Sequence, residues 1–277
     1  MAYEFLSVRR AGKLTAMSDV GKRVPGAGAP LRMAAFGGLL IAIAWLLTDP
    51  LPLFERAFAT FLLGVLPVAL LMTAGPATVP EGASRHAIYA SSWGALWVLA
   101  AIALAVVPRA ADATQRLALV WPETRLFAGW TLLLIVAGVV VVLLWRAFGH
   151  REGALSMFLL PRSGTERLHY AWLSLTAGFT EEVVFRGFLV RAVEDASGSA
   201  LTGVAVAAVA FGLAHRYQGA SGAVRAGVLG AILSAPLLVI GSIVPAIIAH
   251  SALDLLAGLW WRERLLGETL EPHRSSL

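Results

Sequence analysis

Residues 179–189, FTEEVVFRGFL, set Glu181, Glu182 and Arg186 inside a run that otherwise reads as an apolar helix. What surrounds that run decides whether the three charges face water, lipid or a protein interior. The surroundings are apolar on every scale. The 277-residue chain is 58% hydrophobic, has a mean hydropathy of +0.76 and only 14% charged residues, against about 25% in soluble domains. Such a composition specifies an integral membrane protein. One helical crossing takes roughly 20 mostly apolar residues, so the chain has room for about eight crossings and no second soluble domain.

Apolar windows fall at 33–48, 57–75, 87–107, 127–145, 169–191, 199–215, 224–241 and 243–261, with Pro, Gly and charged residues between them. The expected fold is therefore all-α, a polytopic bundle of about eight transmembrane helices. Its organisation is read as a basic cytoplasmic tail (1–32), N-terminal scaffold helices (33–167), a catalytic-type bundle (168–262) and a cytoplasmic C-terminal tail (263–277). The two long connections, 108–126 and 146–168, have no binding signature, and the patch ALSMFLL (154–160) reads as a segment lying flat at the membrane surface.

Charge sets the expected orientation. Arg9, Arg10, Lys13, Lys22, Arg23 and Arg32 outnumber Glu4 and Asp19 in the tail, and no signal-peptide core precedes Met33. Eight crossings from a cytoplasmic N-terminus return the C-terminus to the cytoplasm, where Arg262, Arg264 and Arg274 follow the last window, as the positive-inside rule requires. The net charge of +5 is dispersed and forms no basic face, which argues against nucleic acid as a partner. With no cysteine, disulfides, thiolate metal sites and a cysteine nucleophile are excluded. Of 22 basic residues only Lys13 and Lys22 are lysines, pointing to a GC-rich bacterial source and an inner (plasma) membrane location.

An ionisable side chain at the bilayer centre costs about 2.5–3.5 kcal/mol even on the lenient insertion scale, so such residues face a protein interior. The second half holds six: Glu181, Glu182, Arg186, His215, His250 and Asp254. Glu182 and Arg186 are four apart and share a helix face, so they can neutralise one another; Glu181 is turned about 100° away and left free for chemistry. In FGLAH, Phe211 walls the face that carries His215; in HSALD, His250 and Asp254 again share a face. Two carboxylates and two imidazoles on three helices can activate water in two ways. Glutamate and histidine can act as general base while the His–Asp pair meets the oxyanion, or Glu181, His215 and His250 can hold Zn2+ with an open fourth position. Spacing leaves both open.

These three motifs, EEVVFR, FGLAH and HSALD, resemble those of the CAAX protease and bacteriocin-processing (CPBP, or Abi) family of intramembrane proteases, which includes the prenyl endopeptidase Rce1. The flanking FRGFL and the YQG at Tyr217–Gly219 are similar too, and the likeness covers roughly 168–262. The resemblance implies that Glu181 and His215 activate the attacking water, that His250 and Asp254 stabilise the oxyanion or position the base, and that Glu182 and Arg186 support them. It also implies a glutamate-dependent or zinc-dependent hydrolase whose partners are the lipid bilayer and a membrane-anchored or membrane-proximal peptide substrate. Two other classes fit the polar helices: a catalytically silent scaffold or immunity protein, and a proton-coupled transporter. Against the transporter, the first half has no counterpart to the polar helices.

Overall fold

The computed structural model describes residues 29–73, 79, 82–107, 112–150 and 153–260. The two predicted tails, apart from residues 29–32, lie outside them. Helix α1 (Ala29–Leu47) starts within the predicted tail, four residues ahead of its apolar window. The chain divides into a unit ending at Leu39, of which 29–39 is described, and a unit running from Leu40. All that follows concerns the second.

Among the described residues the secondary structure is entirely helical. Four helices are long and apolar enough to cross a membrane, Leu53–Met72, Arg85–Val106, Thr124–Ala147 and Arg216–Ile240, and Ala34–Leu47, Ala200–Ala214 and Val244–Trp260 are shorter apolar helices. The remaining window, 169–191, lies inside one continuous helix over 164–197 that carries Glu181, Glu182 and Arg186. Among the described residues each apolar window thus falls mainly on helix, and the protein is a polytopic membrane bundle. A bilayer offers backbone groups no partners, so a helix is the natural answer for every such window.

The segment Leu53–Thr73 comprises α2 (Leu53–Thr60), a π-helical turn (Phe61–Val65) and α3 (Leu66–Thr73). It is followed by α4 (Arg85–Val106), α5 (Ala113–Arg116), α6 (Thr124–Ala147) and α7 (Ala154–Leu159). The polar helix consists of α8 (Gly164–Glu181), a π-helical stretch (Glu182–Leu189) and α9 (Val190–Ser197). Then come α10 (Ala200–Ala214), a 3-10 turn (Arg216–Gln218), α11 (Gly219–Leu233), α12 (Ala235–Ile240), α13 (Val244–Leu255) and a last π-helical turn (Leu256–Trp260). Helix α8 packs on α4 and α13, α13 on α6, α11 on α6 and α10, and α10 on α9.

The start of α8 is written locally. The Ser163 hydroxyl accepts from the Glu166 amide at 3.1 Å, while the Glu166 carboxylate accepts from the amides of Arg162 (2.6 Å) and Ser163 (3.1 Å), a capping box. Those amides, chiefly that of Arg162, hold the Glu166 carboxyl below its usual range. Gly198 ends α9 at φ 72°, a left-handed conformation that costs glycine nothing.

Both long connections are more ordered than loops without signatures need to be. In the first, Leu117 and Ala118 are buried, the Ile243 amide donates to Ala118 O (2.9 Å), and the Ser242 hydroxyl donates to Val120 O (2.6 Å). Irregular backbone inside a membrane protein survives where other protein atoms satisfy it. In the second, ALSMFLL forms α7, which is held to the bundle: the Tyr89 hydroxyl donates to Leu159 O and Arg85 Nε to Phe158 O, both at 2.6 Å, and the Arg85 guanidinium lies over the Phe158 ring. Arg85 pairs with Glu166 at this end of the unit (3.6 Å), whereas at the opposite end Arg56, Arg116 and Arg191 pair with Asp49, Glu55, Asp195 and Glu194.

Candidate active site

A cavity of about 620 Å³ opens between α3, α4, α6, α8, α10, α11 and α13 beneath α7. Most of its wall is aliphatic, including Leu66, Leu96, Leu99 and Val142, and its polar side is formed by Glu181, His215, Tyr217, His250 and Asp254. Helix α4, read from sequence as scaffold, therefore supplies part of the wall around the candidate site.

The polar helix brings its charges in where α8 passes into its π-helical stretch. Glu181 is the last residue of α8 and Glu182 the first of the π-helix, a local widening that recurs at functional sites. Gly178, one turn earlier, lies so close to α13 that a Cβ there would overlap the Ser251 hydroxyl, and this approach sets Glu181 and Glu182 opposite His250.

Glu182 and Arg186 form the expected pair, Oε1 to Nη1 at 3.0 Å, with both side chains at or below 1% exposure, so the guanidinium has its counterion where water has none to offer. Arg186 also donates from Nε to Gly230 O (3.3 Å) and lies over the Phe211 ring, 4.3 Å from its centroid. Phe211 in turn packs against the His215 ring at 4.3 Å. Phe211 is thus more than a wall: its ring touches both the buried arginine and an imidazole.

The Glu182 carboxylate does a second thing that spacing could not disclose. Its Oε1 also accepts from His250 Nδ1 at 2.8 Å. The orienting partner of His250 is therefore Glu182, 68 residues away, and not Asp254 on its own helix. Asp254 Oδ2 lies 3.7 Å from Nε2, beyond hydrogen-bond distance, and its side chain is 40% exposed toward the cavity. His215 is held alike, with Nδ1 donating to Phe211 O at 2.8 Å. These partners assign the proton to Nδ1 on both rings and turn both Nε2 atoms toward the cavity.

Both Nε2 atoms face the same oxygen. Glu181 Oε2 is 3.9 Å from His215 Nε2 and 3.9 Å from His250 Nε2, and it is buried without a hydrogen-bond partner. Of the seven residues singled out in the sequence, Glu181, Phe211, His215, His250 and Asp254 line the cavity, and Glu182 and Arg186 lie buried behind them. Sequence reading left Tyr217 without a task, although its ring lies 5.7 Å from that of His215 and it lines the same cavity; its place directly after the histidine motif was the available signal.

Whether the converging atoms suit a zinc ion is a matter of spacing. Donors at 2.0–2.1 Å in a tetrahedral zinc site lie about 3.4 Å from one another, closer than the 3.9 Å found here. Among the described residues no group of three or more His, Asp or Glu is arranged to hold a metal ion. A water at about 2.8 Å from each partner spans a 3.9 Å gap at an angle of about 90°, within its ordinary hydrogen-bonding range. The donor set as placed fits water and does not fit zinc.

No curated protein and no solved structure matches the chain significantly. In agreement with the resemblance carried by the three motifs, residues 164–256, which hold all seven of these side chains, match the family model described as type II CAAX prenyl endopeptidase Rce1-like.

Proposed function

We propose that the protein is an intramembrane endopeptidase that hydrolyses a peptide bond of a membrane-anchored or membrane-proximal substrate with a water activated by Glu181 and His215. The observation that carries this reading is the unpartnered, buried Glu181 Oε2 facing two imidazole Nε2 atoms across gaps of 3.9 Å. A water in that gap donates one hydrogen bond to Glu181 and one to His215.

In the first step Glu181 takes a proton from this water, the oxygen bonds to the scissile carbonyl carbon, and the carbonyl π electrons move to the carbonyl oxygen. His250, protonated on both nitrogens, donates from Nε2 to that oxyanion while Nδ1 remains on Glu182. A cation at His250 is in keeping with the local charges: Glu181, Glu182 and Asp254 face only Arg186 otherwise. In the second step the tetrahedral intermediate collapses, the C–N bond breaks, and the proton held by Glu181 passes to the departing amine. The products are a new amine and a new carboxylic acid, which ionises by releasing the water's second proton to solvent, and the carboxylate of Glu181 is restored.

The apolar cavity wall favours substrate residues with apolar side chains and keeps bulk water from the reacting bond. Arg146, Arg151, Arg162 and Arg167, in the connection that carries α7, support a cytoplasmic side for this end of the cavity. The test is cleavage of an internally quenched peptide library tethered to liposomes by an acyl anchor, using full-length protein reconstituted in the same vesicles. Glu181→Gln and His215→Ala should each lower cleavage by at least about 10²-fold, in the range for removing a general base, with protein abundance unchanged. Undiminished cleavage by both variants would sink the proposal.

A further inference from the structure

An oxyanion is usually met by more than one donor, and His250 Nε2 is so far alone. Asp254, the next side chain on that face, is a carboxylate and accepts hydrogen bonds when ionised. The other donors along the cavity wall are mostly committed: Tyr89 to Leu159 O at 2.6 Å, Tyr170 to Asp254 O at 3.3 Å, Ser174 to Tyr170 O at 2.9 Å and Thr180 to Thr176 O at 2.7 Å.

Tyr217 differs, because a directed chain of hydrogen bonds determines where its proton goes. Arg225 Nη2 donates to Gln218 Oε1 (3.3 Å), which fixes the side-chain amide with its oxygen toward the guanidinium. The Gln218 nitrogen is thereby turned to the Tyr217 hydroxyl, to which it donates at 3.3 Å. The hydroxyl oxygen is used as an acceptor and its own proton is left for a further acceptor. Donation from a cation through an amide also polarises the hydroxyl in the sense that strengthens its donation. The ring lies beside His215, on the wall that holds Glu181 and Asp254.

Resting on the endopeptidase reading above, we propose that Tyr217 is a catalytic residue whose hydroxyl donates the second hydrogen bond to the oxyanion, aligned for that task by Gln218 and Arg225. Gln218 and Arg225 act through it as positioning residues.

The reconstituted full-length enzyme and the liposome-tethered fluorogenic peptides provide the test. Tyr217→Phe keeps the ring against His215 and removes only the donor; kcat should fall by about 10²-fold with KM nearly unchanged. Gln218→Glu replaces the amide donor by an acceptor that pairs with Arg225 and draws the tyrosine proton away from the cavity, so it should reproduce the kcat loss with Tyr217 intact. A peptide aldehyde, whose hydrate mimics the tetrahedral intermediate, should bind Tyr217→Phe more weakly by a similar factor, while an uncleaved peptide of the same sequence binds as to wild type. Loss of both affinities together would mark a merely structural role and overturn the proposal, as would an unchanged kcat in Tyr217→Phe when Glu181→Gln is inactive. If Glu181→Gln and His215→Ala both cleave normally, the endopeptidase reading itself fails.

Discussion

Glu181 and Glu182 are neighbours in sequence and opposites in environment. Glu182 has a cation on one side and an imidazole on the other, both on Oε1, in a site with no exposure. Glu181 makes neither contact, and its Oε2, buried and unpartnered like that of Glu182, faces two imidazoles. Glu182→Gln removes the counterion of a buried guanidinium, and breaking such a pair from one side costs about 3–5 kcal/mol. We therefore expect Glu182→Gln to be strongly destabilised in thermal unfolding of the detergent-solubilised protein. Glu181→Gln, which loses no hydrogen bond, should unfold at or above the wild-type temperature while being inactive. Equal stability of the two variants would contradict this division of roles. That Glu182 pairs with Arg186 was legible from their spacing of four. That the same oxygen holds His250 was not, because no local pattern links residues 68 apart.

Among the elements, the contact between α8 and α13 governs the site, since it sets a carboxylate on one helix against an imidazole on the other. Small residues permit such close approach in membrane bundles, where apolar attraction between helices is no stronger than that to lipid. Gly178 is the position that closes it. A methyl there has no space, so Gly178→Ala should cost about 1–3 kcal/mol through overpacking, and its loss of cleavage should exceed what the unfolded fraction explains, because the Glu181–His250 gap widens. Gly129 in α6 has nothing within 4 Å of where a Cβ would lie. Gly129→Ala should therefore leave cleavage intact and raise stability by up to about 1 kcal/mol from helix propensity; paired thermal unfolding and peptide-cleavage assays distinguish the two glycines. The helices themselves were readable from apolar windows, but the π-helical stretch at Glu182–Leu189 was not. Its wider turn depends on what packs around it rather than on a compositional signature.

At the level of the whole molecule the arginine distribution makes orientation testable, and the absence of cysteine makes the test clean. Thr165 is exposed at the end where α7 lies, and Gln115 is exposed at the opposite end. In inner-membrane vesicles of known sidedness, a membrane-impermeant maleimide should label Thr165→Cys from the cytoplasmic face and Gln115→Cys from the other. Labelling of both from one face would overturn the topology. The sequence by itself determined that this is a bundle of membrane helices, where the apolar windows fall, and which side chains are too costly to leave in lipid. Those are local properties, decided by the solvent each segment must enter. Only the tertiary structure decided that Glu182 orients His250, that Asp254 stands off by 3.7 Å, and that Glu181 faces two imidazoles across gaps of a width that suits water. Those distances follow from how closely α8, α10 and α13 approach, and that depends on small residues and buried pairs far apart in the chain.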